Sequence, residues 1–219
     1  MKLLAIDTSG PQALWMGVVD GQPLDPEQAD EGQRHDAVLG DGVKAWLARN
    51  KWKTMDGIAV VIGPGGFTGL RVGVAFASGL AEALQVPVVP VSSYERLAAS
   101  VETGIVWALP FASRKEVRGR LMRGGENPET LSDIDVFPPD QVSRPSGNDT
   151  VIPLGEGYLR AQEAIDESLG VRKGHAEVLD DPTSLARAAT AAWRKGSAVT
   201  PDLVDVDYGA EFVPTLKQR

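Results

Sequence analysis

The residues best suited to chemistry in this chain form a glycine-rich loop at residues 63–69, which reads GPGGFTG. Backbone N–H groups of such a loop can cradle a phosphate where a helix begins. No Gly-Lys-Ser/Thr follows, so the loop is not a P-loop, and Thr68 stands where a dinucleotide fingerprint requires its third glycine. The candidate phosphate contacts are Gly63, Gly65, Gly66 and Thr68. The alternative is a tight turn that lets the next helix lie close to the sheet.

The carboxylate of Asp7 is a second candidate, because it is followed by Thr8 and Ser9 at the end of a predicted first strand. Together with the glycine loop, Asp7 and Thr8 could hold a magnesium–phosphate group, which would make ATP or ADP with magnesium the cofactor. A turn that caps its own backbone needs the same residue types. Both readings stay open, and no cofactor is firmly predicted.

The two histidines give little support for a metal or base. His35 could act as a general base, but it stands beside Asp36 at a predicted helix start, where polar residues are common. His175 lies in a polar stretch and is expected to be solvated. Because the histidines are 140 positions apart and the chain has no cysteine, no transition-metal site is predicted.

One basic cluster stands out in an otherwise acidic chain. Its members are Arg114, Lys115, Arg118, Arg120 and Arg123. A strand at residues 116–122 would place Arg118 and Arg120 on one face, which we expect to be solvated. The alternative is a contribution to an RNA-binding surface shared with a partner. The net charge of −8 argues against the chain gripping nucleic acid alone.

Composition is that of an ordinary globular protein, with 42% hydrophobic and 24% charged residues among 219. The N-terminal MKLLAIDTS has too few apolar residues for a signal peptide. The least polar stretch, residues 57–81, is interrupted by Pro64 and Arg71, so we expect a core segment rather than a membrane span. The predicted location is the cytoplasm.

The pattern of elements predicts two α/β lobes. In the first half we expect strands at residues 2–6, 13–19, 22–24, 58–62 and 86–91, with a hairpin turn at Asp20-Gly21 and a loop that extends to about residue 33. We expect helices at residues 35–50, at residues 67–84 and from Ser93, where Ser92 and Glu95 resemble a capping box. A similar order follows Gly104, with strands at residues 105–109, 116–122 and 151–154, helices at residues 157–169 and 182–193, and a loop insertion at residues 124–150. The predicted domains are residues 1–103 and a smaller, divergent lobe at residues 104–219, whose last residues can pack back on the first lobe.

The predicted helix at residues 67–84 carries two stripes with a spacing of four. The small stripe is Gly69, Gly73, Ala77 and Ala81, and the bulky stripe is Val72, Phe76, Leu80 and Leu84. A helix with almost no polar face is buried on more than one side. Either this helix lies deep in the domain, or its small face is a docking surface.

Residues 62–73, IGPGGFTGLRVG, resemble the signature segment of the TsaB (YeaZ) family. Members of that family are bacterial partner subunits in the synthesis of threonylcarbamoyladenosine on tRNA. LAIDTS, QRHD and VPVVPVSS agree with the family in order, and the resemblance covers about residues 1–100. Beyond it, residues 112–117 loosely resemble the family's Asp-Ala-Arg-x-x-Glu-Val-Tyr. Phe111 and Arg118 stand where the aspartate and the tyrosine are expected.

The resemblance implies a two-lobed actin-like, sugar-kinase-like (ASKHA) α/β fold and a catalytic paralogue, TsaD, with a His-x-Glu-x-His metal motif. By order along the chain, Ser93, Glu95 and Leu97 occupy the corresponding positions, so both histidines are missing. The resemblance therefore implies a non-catalytic subunit that is a homodimer when alone. It would partner a TsaD-type subunit and an ATPase subunit of the complex, and touch tRNA only through that complex.

The interface residues that this implies are Gly69, Val72, Gly73, Phe76, Ala77, Leu80, Ala81 and His35. Two alternatives remain. One is an ATPase or phosphotransferase of the same fold that uses Asp7 and the glycine loop, and the other is a nucleotide-binding regulator without chemistry.

Overall fold

The computed structural model describes residues 1–111, 115–141, 145, 150–169 and 181–209. His175, Arg114 and the rest of the weakly matching segment at residues 112–114 lie outside the described residues, so the expectations for them stay predictions.

The first lobe is built on a five-stranded sheet in the order β3-β2-β1-β4-β5. Its strands are β1 (Lys2–Asp7), β2 (Leu14–Val19), β3 (Gln22–Gln28), β4 (Gly57–Gly63) and β5 (Val88–Ser92). Strands β1, β2 and β3 are antiparallel neighbours, whereas β4 runs parallel to both β1 and β5. The carboxyl ends of β1, β4 and β5 therefore meet at one edge of the sheet.

Strand β3 is longer than the sequence predicts, because residues 25–28 continue the strand where we expect a loop. In a central strand, Pro23 and Pro26 would each remove a hydrogen bond between strands, but β3 lies at the edge of the sheet. A proline there leaves only a solvent-facing position without its N–H.

Helices cover both faces of this sheet. Helices α1 (His35–Arg49) and α2 (Phe67–Leu84) pack on the face that carries Leu4 and Ile6. Helix α6 (Pro182–Arg194) packs on the opposite face with Leu3 and Ala5, so the last described helix belongs to the first lobe. Successive side chains of β1 point alternately into the two cores, which explains the unbroken apolar sequence of this strand.

The second lobe contains a smaller sheet in the order β10-β6-β7-β8. Its elements are β6 (Ile105–Ala108), β7 (Val117–Arg123), β8 (Glu129–Thr130), β9 (Asp135–Phe137) and β10 (Val151–Leu154), with α4 (Glu156–Arg160) and α5 (Gln162–Leu169). The short strands β8 and β9 both pair with β7, so residues 124–150 are not wholly a loop insertion. Strands of two and three residues have too little periodicity to be visible in the sequence.

Helix α3 (Ser93–Ala98) connects the two lobes. It begins with the capping box that the sequence predicts, in which the Ser92 side chain accepts a hydrogen bond from the helix and Glu95 reaches back to the Ser92 N–H. Its apolar side, which includes Tyr94 and Leu97, packs against Val106 of the second sheet.

Helix α2 is the one helix in the described part of the chain that is long and apolar enough, by length and composition alone, to cross a membrane. The core helix of a folded domain passes the same test. Five of its residues are buried against the first lobe, so α2 is a core helix of this α/β domain.

The small stripe of α2 faces the chain's own sheet. Ala77 and Ala81 are fully buried in the core beneath α2. A Cβ added at Gly73 would overlap the hydroxyl of Thr8, and one added at Gly69 would overlap the Thr8 carbonyl oxygen. The prediction that these small residues meet a partner is therefore wrong for Gly73, Ala77 and Ala81, which are buried where α2 packs on the sheet, whereas Gly69 is half-buried.

Replacing Gly73 with leucine should destabilise the fold by about 3 kcal/mol or more, the upper end of the usual cost of overpacking, because α2 and Thr8 would have to separate. The measurement is the urea unfolding midpoint. Gly79→Leu is the matched control in the same helix, since nothing lies within 4 Å of a Cβ added there. It should be as stable as the wild type or more so, because glycine costs about 1 kcal/mol inside a helix. Wild-type stability of Gly73→Leu would contradict this packing.

Candidate functional site

A narrow cleft lies between the two lobes, at the carboxyl end of β1. Its polar lining includes Asp7, Ser93 and Arg96 from the first lobe and Glu156 from the second. Phe111 contributes part of the apolar lining. The cleft has a volume of about 60 Å³, compared with about 300–1,000 Å³ for common small-molecule pockets. In this arrangement it has room for a few water molecules rather than for a nucleotide.

The carboxylate of Asp7 is paired within the chain. One of its oxygens accepts a hydrogen bond of 2.7 Å from the backbone N–H of Ser9. The other oxygen forms an ion pair with the guanidinium of Arg96 on α3, and the two side chains are only 3% and 13% exposed. The group that the sequence offers to a magnesium–phosphate is thus already neutralised by an internal cation.

The glycine loop also makes hydrogen bonds and close contacts with the rest of the chain. Gly65 lines the cleft, but the N–H of Gly66 donates to the Ser9 carbonyl oxygen at 2.9 Å. Gly63 has a φ of +123°, and the carbonyl oxygen of Asp207 lies where a side chain would be. The loop is therefore packed closely against the end of β1.

The remaining candidates for phosphate contact do not join this cleft. Thr8 is fully buried beneath Gly73. Thr68 is exposed and lines a different groove, together with His35. Of the six residues that the sequence suggests for nucleotide, the structure brings only Asp7 and Gly65 to the cleft.

The segment corresponding to a metal motif has structural contacts here. Glu95 closes the capping box of α3, and its carboxylate lies 3.2 Å from the ammonium of Lys195 on the chain after α6. Ser93 is 4% exposed, and its hydroxyl forms no hydrogen bond with the described residues. Within the described residues, no three His, Cys, Asp or Glu side chains are close enough to hold a metal ion.

The basic cluster is not a solvated strand face, contrary to the sequence expectation. Arg118 is 11% exposed, pairs with Glu116 and donates to the carbonyl oxygen of Tyr208 at 2.5 Å. Arg120 lies over the ring of Tyr94, 5.2 Å from its centroid. Both arginines therefore point from β7 towards the first lobe, because that face of β7 meets α3.

This burial has an electrostatic consequence at the junction. Burial raises the pKa of Tyr94 to about 12, against the opposing influence of the two nearby arginines. Arg123, at the end of β7, is exposed and pairs with Glu129 at 3.3 Å. With Arg118 and Arg120 turned inward, the described members of the cluster do not make a continuous basic surface for RNA.

The exposed side of α2 is the second candidate site, and we call it the docking face. It contains another stripe of small residues with a spacing of four, Ala75, Gly79 and Ala83, and all three are exposed. Val72, Phe76 and Leu80 lie beside this stripe and are half-buried against α1 and the core. Phe67 and Leu84, at the two ends of α2, are 47% and 42% exposed.

His35 lies at the border of the docking face. Its Nε2 is 3.2 Å from the carbonyl oxygen of Pro11, and its ring contacts the helix at Gly69. The groove beside it is lined by Thr68 and Val72. His35 therefore lies near the exposed part of α2 without being fully accessible.

Sequence reasoning proposed a stripe of α2 that is mostly buried, although a signal for the exposed stripe was available. Arg71 is the only basic residue of the helix, and it is exposed. It precedes Ala75 by four positions and so shares a face with Ala75, Gly79 and Ala83. Since an unpaired charge is rarely buried, this face had to point away from the sheet.

Comparison with known proteins supports the fold and the family resemblance. Residues 25–113 match the family model described as TsaD, tRNA N6-adenosine threonylcarbamoyltransferase. The structure is similar to YeaZ from Pseudomonas aeruginosa, at 26% identity and a TM-score of 0.76, over 94% of this chain and 99% of that one. A further Pseudomonas aeruginosa structure, an uncharacterized protein with similarity to the peptidase YeaZ, gives 26% identity, a TM-score of 0.78 and coverages of 95% and 99%.

The fold extends to a more distant protein, Lmo2764 from Listeria monocytogenes, described as a proposed N-acetylmannosamine kinase. The match covers 90% of this chain and 100% of Lmo2764, at 14% identity and a TM-score of 0.53. This likeness concerns the fold alone, and it is the two-lobed, sugar-kinase-like and actin-like fold that the sequence predicts. The chain thus has a YeaZ-like structure along nearly its whole length and matches a TsaD-type family model over residues 25–113, and both findings support the resemblance to the TsaB (YeaZ) family.

Proposed function

We propose that this protein is a non-catalytic dimerisation and activation subunit of the complex that makes threonylcarbamoyladenosine on tRNA. The observation that carries the proposal is the docking face, an apolar and largely uncovered side of the most apolar helix in the described chain. A TsaD-type catalytic subunit, homologous to this chain, is its partner, and a second copy takes that place when the protein is alone.

The shape of the docking face favours a helix as the contacting element. Ala75, Gly79 and Ala83 leave a shallow channel along the helix axis, in which another backbone can approach closely. Val72 and Phe76 form a raised apolar border beside it. An isologous dimer would place the same surface on both subunits, so one self-complementary helix face is sufficient.

The catalytic role belongs to the partner in this proposal. The positions that correspond to the metal motif offer a serine hydroxyl, a glutamate and a leucine, and Glu95 is already occupied by the helix cap and Lys195. The chain would act by holding the partner's site in its active arrangement, which is a coupling free energy across the interface. It would work in the cytoplasm, with an ATPase subunit, and meet tRNA only through the assembled complex.

The alternative, an ATPase or phosphotransferase of the same fold, has weaker support. Arg96 occupies the carboxylate of Asp7, and Ser9 occupies the N–H of Gly66. The interlobe cleft is also small for a nucleotide. We propose that ATP or ADP with magnesium, if it binds at all, does so weakly and within the assembled complex.

Gly79→Leu should weaken self-association and binding of the catalytic partner about tenfold to a hundredfold, because overpacking at a close helix contact costs roughly 1–3 kcal/mol. Sedimentation velocity and calorimetry measure this, and the melting temperature should not fall. Glu163→Leu is the control, because it introduces leucine at an exposed position of α5, and it should leave association unchanged. Wild-type affinity of Gly79→Leu would place the interface elsewhere.

The purified chain should not modify tRNA by itself, because Ser93 and Leu97 supply no imidazole for a metal. The assay contains tRNA and threonylcarbamoyl-adenylate, with and without the catalytic subunit. Product should form only when that subunit is present, and adding this chain should increase its rate. Turnover by this chain alone, surviving chelation and repurification, would overturn the proposed role.

Arg96→Gln should cost about 3–5 kcal/mol of unfolding free energy, because it leaves the buried carboxylate of Asp7 without its cation. Asp7→Asn combined with Arg96→Gln should recover part of that loss, and urea unfolding of the single and double variants measures the coupling. Arg123→Gln, which breaks an exposed ion pair, should cost no more than about 1 kcal/mol.

Nucleotide binding to the wild-type chain tests the alternative that the protein is an ATPase or phosphotransferase. Calorimetry with magnesium and ATP should detect no tight binding to the wild-type chain, since Asp7 is already paired. A submicromolar Kd for the isolated wild type would contradict this reading of the Asp7–Arg96 pair and favour an enzyme.

A further inference from the structure

A segment after α6 runs from the first sheet to the docking face, and we call residues 199–209 the C-terminal strap. It begins where Val199 exchanges two backbone hydrogen bonds with Val88 at the edge of β5, at 2.9 and 2.8 Å. Val204 and Val206 pack on the core beneath α2. The N–H of Asp207 then donates to the carbonyl oxygen of Ile62 at 2.9 Å, so the strap is fixed at several points before it reaches α2.

The side chain of Tyr208 forms one edge of the docking face. Its ring stacks on that of Phe67, the first residue of α2, with centroids 5.2 Å apart and an interplanar angle of 27°. Its hydroxyl accepts a hydrogen bond of 2.7 Å from Nε of Arg71. The guanidinium of Arg71 lies over the Phe67 ring at 4.2 Å. Arg71 shares the exposed face of α2 with Ala75.

The backbone of the same residue is held by the second lobe. Arg118 of β7 donates to the carbonyl oxygen of Tyr208 at 2.5 Å, and its guanidinium is oriented by Glu116. This contact spans 90 positions of sequence, and the Arg118 side chain is only 11% exposed. Tyr208 therefore contacts the second lobe through its carbonyl group and the docking face through its ring.

We propose that Tyr208 is part of the docking face and that Arg118 is the positioning residue that holds it there. Association with a second copy of this chain then depends on the placement of the second lobe. This inference rests on the proposed function, since it assumes that the exposed side of α2 is the contact surface. Tyrosine and arginine are the residue types that most often dominate interface energetics. A ligand or tRNA segment that moves the second lobe would change affinity at α2 through this one residue.

Sedimentation velocity on the full chain tests the inference by measuring the dimer Kd. Tyr208→Leu and Arg118→Gln should each weaken dimerisation about fivefold to twentyfold. Tyr208→Phe, which keeps the stacked ring, should weaken it about threefold or less. The double variant Arg118→Gln/Tyr208→Leu should be no weaker than Tyr208→Leu alone, because both changes remove the same contribution. Arg123→Gln, on the same strand but exposed, is the control and should have no effect.

The outcomes separate failure of the coupling from failure of the proposed function. If Gly79→Leu weakens the dimer and neither Tyr208→Leu nor Arg118→Gln does, the docking face is correct and the coupling is wrong. If Gly79→Leu has no effect, or the wild type stays monomeric at the highest attainable concentration, the docking face itself is wrong and the inference falls with it. Additive effects of the Arg118 and Tyr208 changes would also overturn it. Thermal melts identify any variant that loses its fold. If Arg118→Gln loses it, Arg118→Lys takes its place, because lysine keeps the charge but cannot bind Glu116 and the Tyr208 carbonyl oxygen through one planar guanidinium. Wild-type affinity of a folded Arg118→Lys would contradict the coupling.

Discussion

The close approach of α2 to the end of β1 is the constraint on which the rest of the structure depends. It is possible because Gly73 has no side chain where Thr8 lies beneath the helix. The same approach brings the glycine loop against the end of β1, where the N–H of Gly66 donates to the carbonyl oxygen of Ser9. The Gly66 N–H, which a free loop would offer to a phosphate, is thus satisfied internally, and the cleft beside Asp7 stays narrow.

This packing also determines which part of α2 is available to a partner. The helix has small residues on two sides, and only one side can face the sheet. Burial of Ala77 and Ala81 leaves Ala75, Gly79 and Ala83 exposed beside a half-buried apolar border. The exposed side of α2 carries charges at Arg71 and Glu82, and the surface between them is apolar, which is typical of an interaction site. The apolar composition of α2 therefore fits a helix covered on both sides in an assembly.

The arginines that could have served a phosphate or a nucleic acid instead form contacts inside the protein, and two of them connect the lobes. Arg96 of α3 neutralises Asp7 at the cleft, Arg120 lies over Tyr94, and Arg118 reaches the carbonyl oxygen of Tyr208. The side chains of Arg96 and Arg118 are only 13% and 11% exposed, so water and salt screen their ion pairs less than they screen exposed pairs. The junction is thus a structural use of positive charge in a chain whose net charge is −8.

The sequence by itself determined the two-lobed fold and the resemblance to the TsaB (YeaZ) family, because the apolar strands, the glycine loop and the segment at residues 62–73 are local patterns. It also located the capping box at Ser92 and the helix start at His35, which depend on neighbouring residues only. Only the tertiary structure decided which stripe of α2 is buried and that β3 continues through Pro26 at a sheet edge. It likewise decided that Arg118 and Arg120 point inward. The physical reason is the same in each case: these properties depend on what a distant part of the chain places against a residue, and periodicity along one segment carries no information about that.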